Sequence, residues 1–216
     1  MNKLHMLREA CCGSIGDVHR AIEGGADRVE LCADLAVGGI TPPHELILEA
    51  ISTGIPVNVL IRPRGGNFVY DEQEIQTMID DIRFCSEAGA NAVVIGALTP
   101  EGDIDLATCR RLVNSFAMPQ NAAVTVRNIT FHRAFDECRD PFVALEQIIG
   151  LGCNRILTSG QAPTAPEGAE TLKRLVTQAQ GRIIILAGSG VTPENYLSLA
   201  HATGVTEVHG TRMHRG

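Results

Sequence analysis

Four phrases decide the fold: Gly25-Ala26-Asp27-Arg28-Val29-Glu30, Gly89-Ala90-Asn91-Ala92-Val93-Val94, Gly152-Cys153-Asn154-Arg155-Ile156-Leu157 and Gly204-Val205-Thr206-Glu207-Val208-His209. Each opens on a glycine suited to closing a helix in the left-handed conformation. Small or polar residues then turn the chain, and an aliphatic run follows. The repetition predicts four equivalent helix-to-strand junctions. Between them lie shorter apolar runs at residues 6–10, 57–61, 129–131 and 183–186. Interleaving the two sets gives eight strands separated by helix-length segments. Ile75, Ile79, Ile82 and Cys85 set one apolar stripe along a helix over residues 72–88. Thr192-Pro193-Glu194 reads as N-cap, first-turn proline and first-turn acid of the seventh helix. The even spacing favours closure into a parallel eight-stranded α/β TIM (β/α)8 barrel over an open doubly wound sheet. No Gly/Ser-rich or Pro-rich linker interrupts the series, so residues 1–216 are expected to form a single domain. The chain stops soon after the eighth strand, so the last helix is expected to be short or absent.

Composition agrees with an aliphatic, glycine-punctuated barrel: 44% of residues are hydrophobic, only 4% are aromatic, Trp is missing and Gly numbers 22. A net charge of −7 argues against nucleic acid, because phosphate backbones call for clustered Lys and Arg. No apolar run approaches a membrane span and none near the N-terminus reads as a leader, so no membrane partner and a cytoplasmic location are expected. The seven cysteines are an odd set without a C-x-x-C, which indicates neither a disulfide framework nor a zinc knuckle.

In a parallel barrel, chemistry sits at the C-terminal ends of the strands. The first two strands end in the same phrase, Glu9-Ala10-Cys11 and Glu30-Leu31-Cys32. Alternation places Glu and Cys of each phrase on one face, so two carboxylates and two thiols are expected in adjacent rows. A thiol pair suits a soft, low-coordination metal such as Cu(I), although unligated Cys also fills small core spaces well. Arg62, in Ile61-Arg62-Pro63-Arg64-Gly65-Gly66, can fork onto a carboxylate or a substrate anion, or serve a buried ion-pair network. His132 and Asp136, in Thr130-Phe131-His132-Arg133-Ala134-Phe135-Asp136, offer an acid–base group with an orienting carboxylate. Ser159 ends the sixth strand, Gly188 and Gly190 follow the seventh, and His209 and Gly210 end the eighth. Glycine turns at those places either hold an anion through backbone N–H groups or simply turn the chain tightly.

Five longer phrases carry a resemblance: Gly24 to Cys32, Gly38-Gly39-Ile40-Thr41-Pro42, Ile61 to Gly66, Thr130 to Asp136 and Leu157-Thr158-Ser159-Gly160-Gln161, with Glu207-Val208-His209 at the end. Together they resemble the CutC family, the copper homeostasis proteins, over essentially the whole chain. The resemblance implies a TIM barrel, a cytoplasmic protein and Cu(I) as the metal, held by Cys11 and Cys32. Two function classes follow from residues and resemblance together. One is a copper-binding protein using Cys11 and Cys32. The other is an enzyme acting on a small anionic or phosphorylated metabolite, with Arg62, Ser159, Gly188, Gly190 and Gly210 holding the anion and Glu9, Glu30, Arg62, His132, Asp136 and His209 as catalytic candidates. A homodimer is the expected assembly, and a scaffold with a relic mouth is the remaining alternative.

Overall fold

The computed structural model describes residues 6–116 and 128–211. Eight strands, β1 (Leu7–Cys12), β2 (Arg28–Leu31), β3 (Val57–Leu60), β4 (Ala92–Ile95), β5 (Ile129–Phe131), β6 (Arg155–Thr158), β7 (Ile184–Ala187) and β8 (Glu207–Gly210), close in sequence order into one parallel barrel. The helices are α1 (Ile15–Glu23), α2 (His44–Ser52), α3 (Glu72–Ala88), α4 (Leu106–Ser115), α5 (Pro141–Leu151), α6 (Ala169–Ala179) and α7 (Tyr196–Thr203). The expectation about an eighth helix falls outside the described residues.

Alternation along the strands divides the molecule into an apolar layer and a polar lumen. Val29, Leu31, Val59, Val93, Ile95, Ile129, Phe131, Ile156 and Val208 join the buried hydrophobic core with the helices' apolar faces. The intervening residues Glu9, Arg28, Glu30, Asn58, Thr130, Glu207 and His209 are buried as well, although they are polar. The stripe expected on α3 is buried as Ile75, Ile79, Ile82 and Cys85, and Asp71 with Glu74 forms a capping box at its start. The repeated glycines close the helices as the sequence demands: Gly89, Gly152 and Gly204 have φ of 86°, 83° and 81°.

Two local expectations are corrected. The seventh helix begins at Tyr196 rather than at Pro193, because Thr192 to Asn195 first makes a turn. There the Asn195 Oδ1 accepts from the Thr192 N–H and the Thr192 Oγ1 accepts from the Glu194 N–H. The two Glu-x-Cys phrases are also not in row. Glu9 pairs with Arg28 and Cys11 with Glu30, a stagger of two residues that follows from the tilt of barrel strands. Glu9 therefore lies one layer deeper than Glu30, and Cys32 reaches one step beyond Glu30 toward the mouth.

Candidate active site at the barrel mouth

The lumen floor is a charge network. The Arg28 guanidinium bridges Glu9 and Glu207, with Nη2 at 2.6 Å from the Glu207 carboxylate. Arg155 Nε adds a second contact to Glu207 at 2.8 Å, and Asn58 donates to Glu9 at 2.8 Å. Burial alone would raise the Glu9 pKa, but the charges of Arg28 and His209 and their hydrogen bonds outweigh it and hold the carboxyl at about 2. Glu9 is thus a fixed anion, occupied in folding the barrel.

His209 stands on that floor. Its Nδ1 lies 2.8 Å from Glu9, and its Nε2 points toward Glu30 at 3.9 Å. Burial disfavours its charged form, yet Glu30, Cys11 and Glu9 around it raise its pKa well above the usual range. Glu30 is the opposite case. Burial pushes its carboxyl up, the nearby Glu9 charge adds to this, and the attraction of His209 does not reverse it, so Glu30 titrates at about 7.

Above these residues opens a cavity of about 440 Å³, within the size range of small-metabolite sites. Its walls combine Leu35, Leu60, Phe68, Leu157 and Val191 with Glu30, Arg62, His132, Arg133 and His209. Cys11 and Cys32 also face it, their Sγ atoms 3.6 Å apart. His132 packs against Phe68 at 5.0 Å between ring centroids and over Gly96, where a Cβ would lie 2.5 Å from the imidazole. Its Nδ1 accepts the Ala134 N–H, which leaves the proton on Nε2. Burial, with the Arg62 charge, lowers its pKa to about 3, so His132 is a neutral donor.

The structure separates several residues that the sequence groups together. Arg62 does lie at the mouth, but its Nη atoms donate to the carbonyls of Val37, Gly39 and Gly66 and clamp two loops. Asp136 is not hydrogen-bonded to His132. It accepts instead from Thr158, from Ser159, from the Gln161 N–H and from Arg133, and so fixes the β6 exit loop. Ser159 is buried, with its hydroxyl within hydrogen-bond reach of two alternative acceptors, Asp136 and the Ala162 carbonyl, while its oxygen accepts from Arg133. Gly188 packs under the mouth, where a Cβ would lie 2.5 Å from Leu157, whereas Gly190 and Gly210 form part of the cavity wall.

The profile of the CutC family matches residues 6–214. The chain belongs to the CutC family. A family protein CutC of Pasteurella multocida is 48% identical over 205 residues, which cover 94% of this chain and 81% of the relative. A crystal structure of CutC from Streptococcus agalactiae, a protein that carries copper homeostasis in its name, superposes with a TM-score of 0.88 at 39% identity and covers 96% of this chain and 99% of its own. The barrel also resembles 2,3-dimethylmalate lyase (TM-score 0.68, 14% identity, 97% of this chain and 77% of that one), a likeness of fold alone.

The copper that the CutC name implies can be tested against the donors present. Cys11, Glu30 and His209 each offer a ligand atom, all within 4.8 Å of one another, and Cys32 adds a second sulfur beside Cys11. Two sulfurs and an imidazole fit a soft monovalent metal. The contact with Cys32, together with burial, holds the Cys11 thiol far above its ordinary pKa, and His209 is held protonated, so metal binding there would release protons from both.

Phe68 and Leu60 line the wall without any signal in the sequence that marks them for it. Phe68 comes from a long loop after β3, and no local pattern marks it. Among the described residues, no helix is long and apolar enough to cross a membrane.

Proposed function

We propose that this CutC barrel is an enzyme that moves protons on a small polar metabolite, with Glu30 as the acid–base group and His132 as a neutral hydrogen-bond donor to the substrate. One observation carries the reading. Glu30 Oε2, His132 Nε2 and Arg62 Nε are buried without a hydrogen-bond partner among the described residues, and all three side chains belong to the wall of the same cavity. Each unmet group costs about 1–3 kcal/mol, and such a cluster persists where a ligand completes it. A carboxyl that titrates near neutrality matches the requirement of general acid–base catalysis. A neutral imidazole donor in the wall of the same cavity polarises a carbonyl without bringing a competing charge.

The test is proton exchange. In D2O, the wild-type protein is expected to introduce deuterium into at least one member of a panel of small carbonyl and hydroxy acids and their phosphate esters, read by mass spectrometry. Glu30→Gln is expected to slow this by about a hundredfold or more. Incorporation at the wild-type rate in Glu30→Gln would remove Glu30 from the reaction.

A second reading rests on the thiol pair: Cu(I) held by Cys11 and Cys32 with His209 as a third donor. Here the metal is cargo, and the protein supplies a sulfur-rich seat. An anaerobic Cu(I) titration against a competing chelator is expected to show at least a hundredfold weaker binding in the Cys11→Ser, Cys32→Ser double variant. Equal affinity in both proteins eliminates the site.

A further inference from the structure

The turns after β7 and β8 contain backbone donors that the acid–base reading does not use. Among the described residues, the N–H groups of Ser189, Gly190, Val191 and Thr211 donate to no protein acceptor, although all four residues form part of the cavity wall. Val191 is only 6% exposed, where an unpaired N–H is unfavourable. The turn is also strained. Ser189 and Gly190 are consecutive left-handed residues, with φ of 73° and 68°, and a serine seldom takes that conformation. Surrounding contacts enforce it. The Ser189 Oγ donates to the Pro163 carbonyl, the Ser189 carbonyl accepts from the Ala165 N–H, and the Gly190 carbonyl accepts from Asn195 Nδ2. The carbonyls of this turn are thus tied back while its N–H groups stay free, the arrangement of an anion cup.

Arg133, on the β5 side of the same cavity, adds a cation. Its Nε is held by Asp136 and its Nη2 by Ser159, which orients the guanidinium and leaves Nη1 without a protein partner among the described residues. His132, only 4% exposed and with an unmet Nε2, belongs to the same wall.

We infer that the substrate is a phosphate monoester whose phosphoryl group is seated by the N–H groups of Ser189, Gly190, Val191 and Thr211 and faced by Arg133. This rests on the mouth cavity being a substrate site. The remaining cavity, lined by Leu35, Leu60 and Phe68, then takes the organic part of the molecule next to Glu30 and His132. The phosphoryl group is a handle and undergoes no reaction. It fixes the reacting carbon by contacts remote from the chemistry.

The probes are inorganic phosphate, sulfate and a set of three- to six-carbon phosphate monoesters, titrated by calorimetry against the full chain. Inorganic phosphate is expected to bind saturably, and the best monoester at least tenfold more tightly, because it also fills the apolar side. Ser189→Asp introduces a residue that tolerates left-handed backbone and brings a negative charge to the turn that carries the N–H groups, and is expected to weaken phosphate binding at least tenfold. Ser189→Asn, of the same shape as the aspartate without the charge, is expected to weaken it several-fold less than Ser189→Asp does. Thermal melts of both variants confirm that they fold. Absence of saturable phosphate binding, or equal effects of Asp and Asn, overturns the cup. Monoesters that bind no better than inorganic phosphate overturn the substrate class and leave a free-phosphate site. Phosphate binding is read on the wild-type chain and proton exchange on Glu30→Gln, so the two readings fail separately. Phosphate binding without Glu30-dependent exchange sinks only the acid–base role, whereas Glu30-dependent exchange confined to unphosphorylated acids sinks only this one.

Discussion

Glu30→Gln is expected to stabilise the folded protein by about 3 kcal/mol at pH 8 and to change it little near pH 4. The sign follows from linkage. The Glu30 pKa is raised in the folded state from 4.5 to about 7, with burial the main cause. The folded state therefore holds this proton more tightly than the unfolded chain does. The contribution of the protonated carboxyl is complete below the unfolded pKa and is lost as pH rises through about 7. Glutamine has the shape of the protonated acid and never ionises, so the variant escapes that loss. Urea denaturation of both proteins across this range checks it. Parallel stability curves would show that the folded protein leaves the Glu30 pKa unchanged. A gain in stability from the same substitution that stops proton exchange is the trade expected of a strained functional group.

Arg28→Met is expected to act in the opposite direction, destabilising the fold by about 3–5 kcal/mol and lowering the melting temperature by on the order of 10 °C. Arg28 is only 3% exposed and lies between Glu9 and Glu207, both buried. Methionine fills a similar volume but leaves two carboxylates facing each other across the lumen floor. Arg155 and His209 remain as partial partners, which keeps the loss from being larger. Adding Glu9→Gln to Arg28→Met should recover part of it, because one of the stranded charges is then removed. A loss under about 1 kcal/mol in Arg28→Met would mean that the network contributes little to folding.

These two residues lie in one lumen, and the sequence announces them unequally. The strand series was legible because glycine closures and aliphatic runs are local signals. Gly89, Gly152 and Gly204 each take the expected left-handed conformation, and each is followed closely by a strand. Stagger is not local. Nothing in Glu9-Ala10-Cys11 or Glu30-Leu31-Cys32 tells that Cys11 will stand beside Glu30 and Glu9 beside Arg28, because the offset belongs to the closure of the whole barrel.

The mouth was legible in part for the same reason. Glu30, His132, His209 and the two thiols reach the cavity because each ends a strand or lies immediately beyond one. Partner choice, by contrast, is decided by loops. Arg62 clamps carbonyls of two loops, and Asp136 braces the β6 exit instead of orienting His132. Phe68 arrives from a segment with no periodicity to read. Composition could announce buried charge, but only the fold shows that Glu9 is neutralised and Glu30 is not.

The difference between those two carboxyls is the core of the account, and it is directly measurable. Carbon-13 labelling of the glutamates, with Glu30→Gln to assign the signal, follows the Glu30 side-chain carboxyl through a pH titration of the folded protein. The expected midpoint for Glu30 is close to 7, with Glu9 ionised throughout that range. A Glu30 midpoint at or below the ordinary carboxylate value of 4.5 would contradict it, since the residue would then be one more fixed anion of the barrel floor.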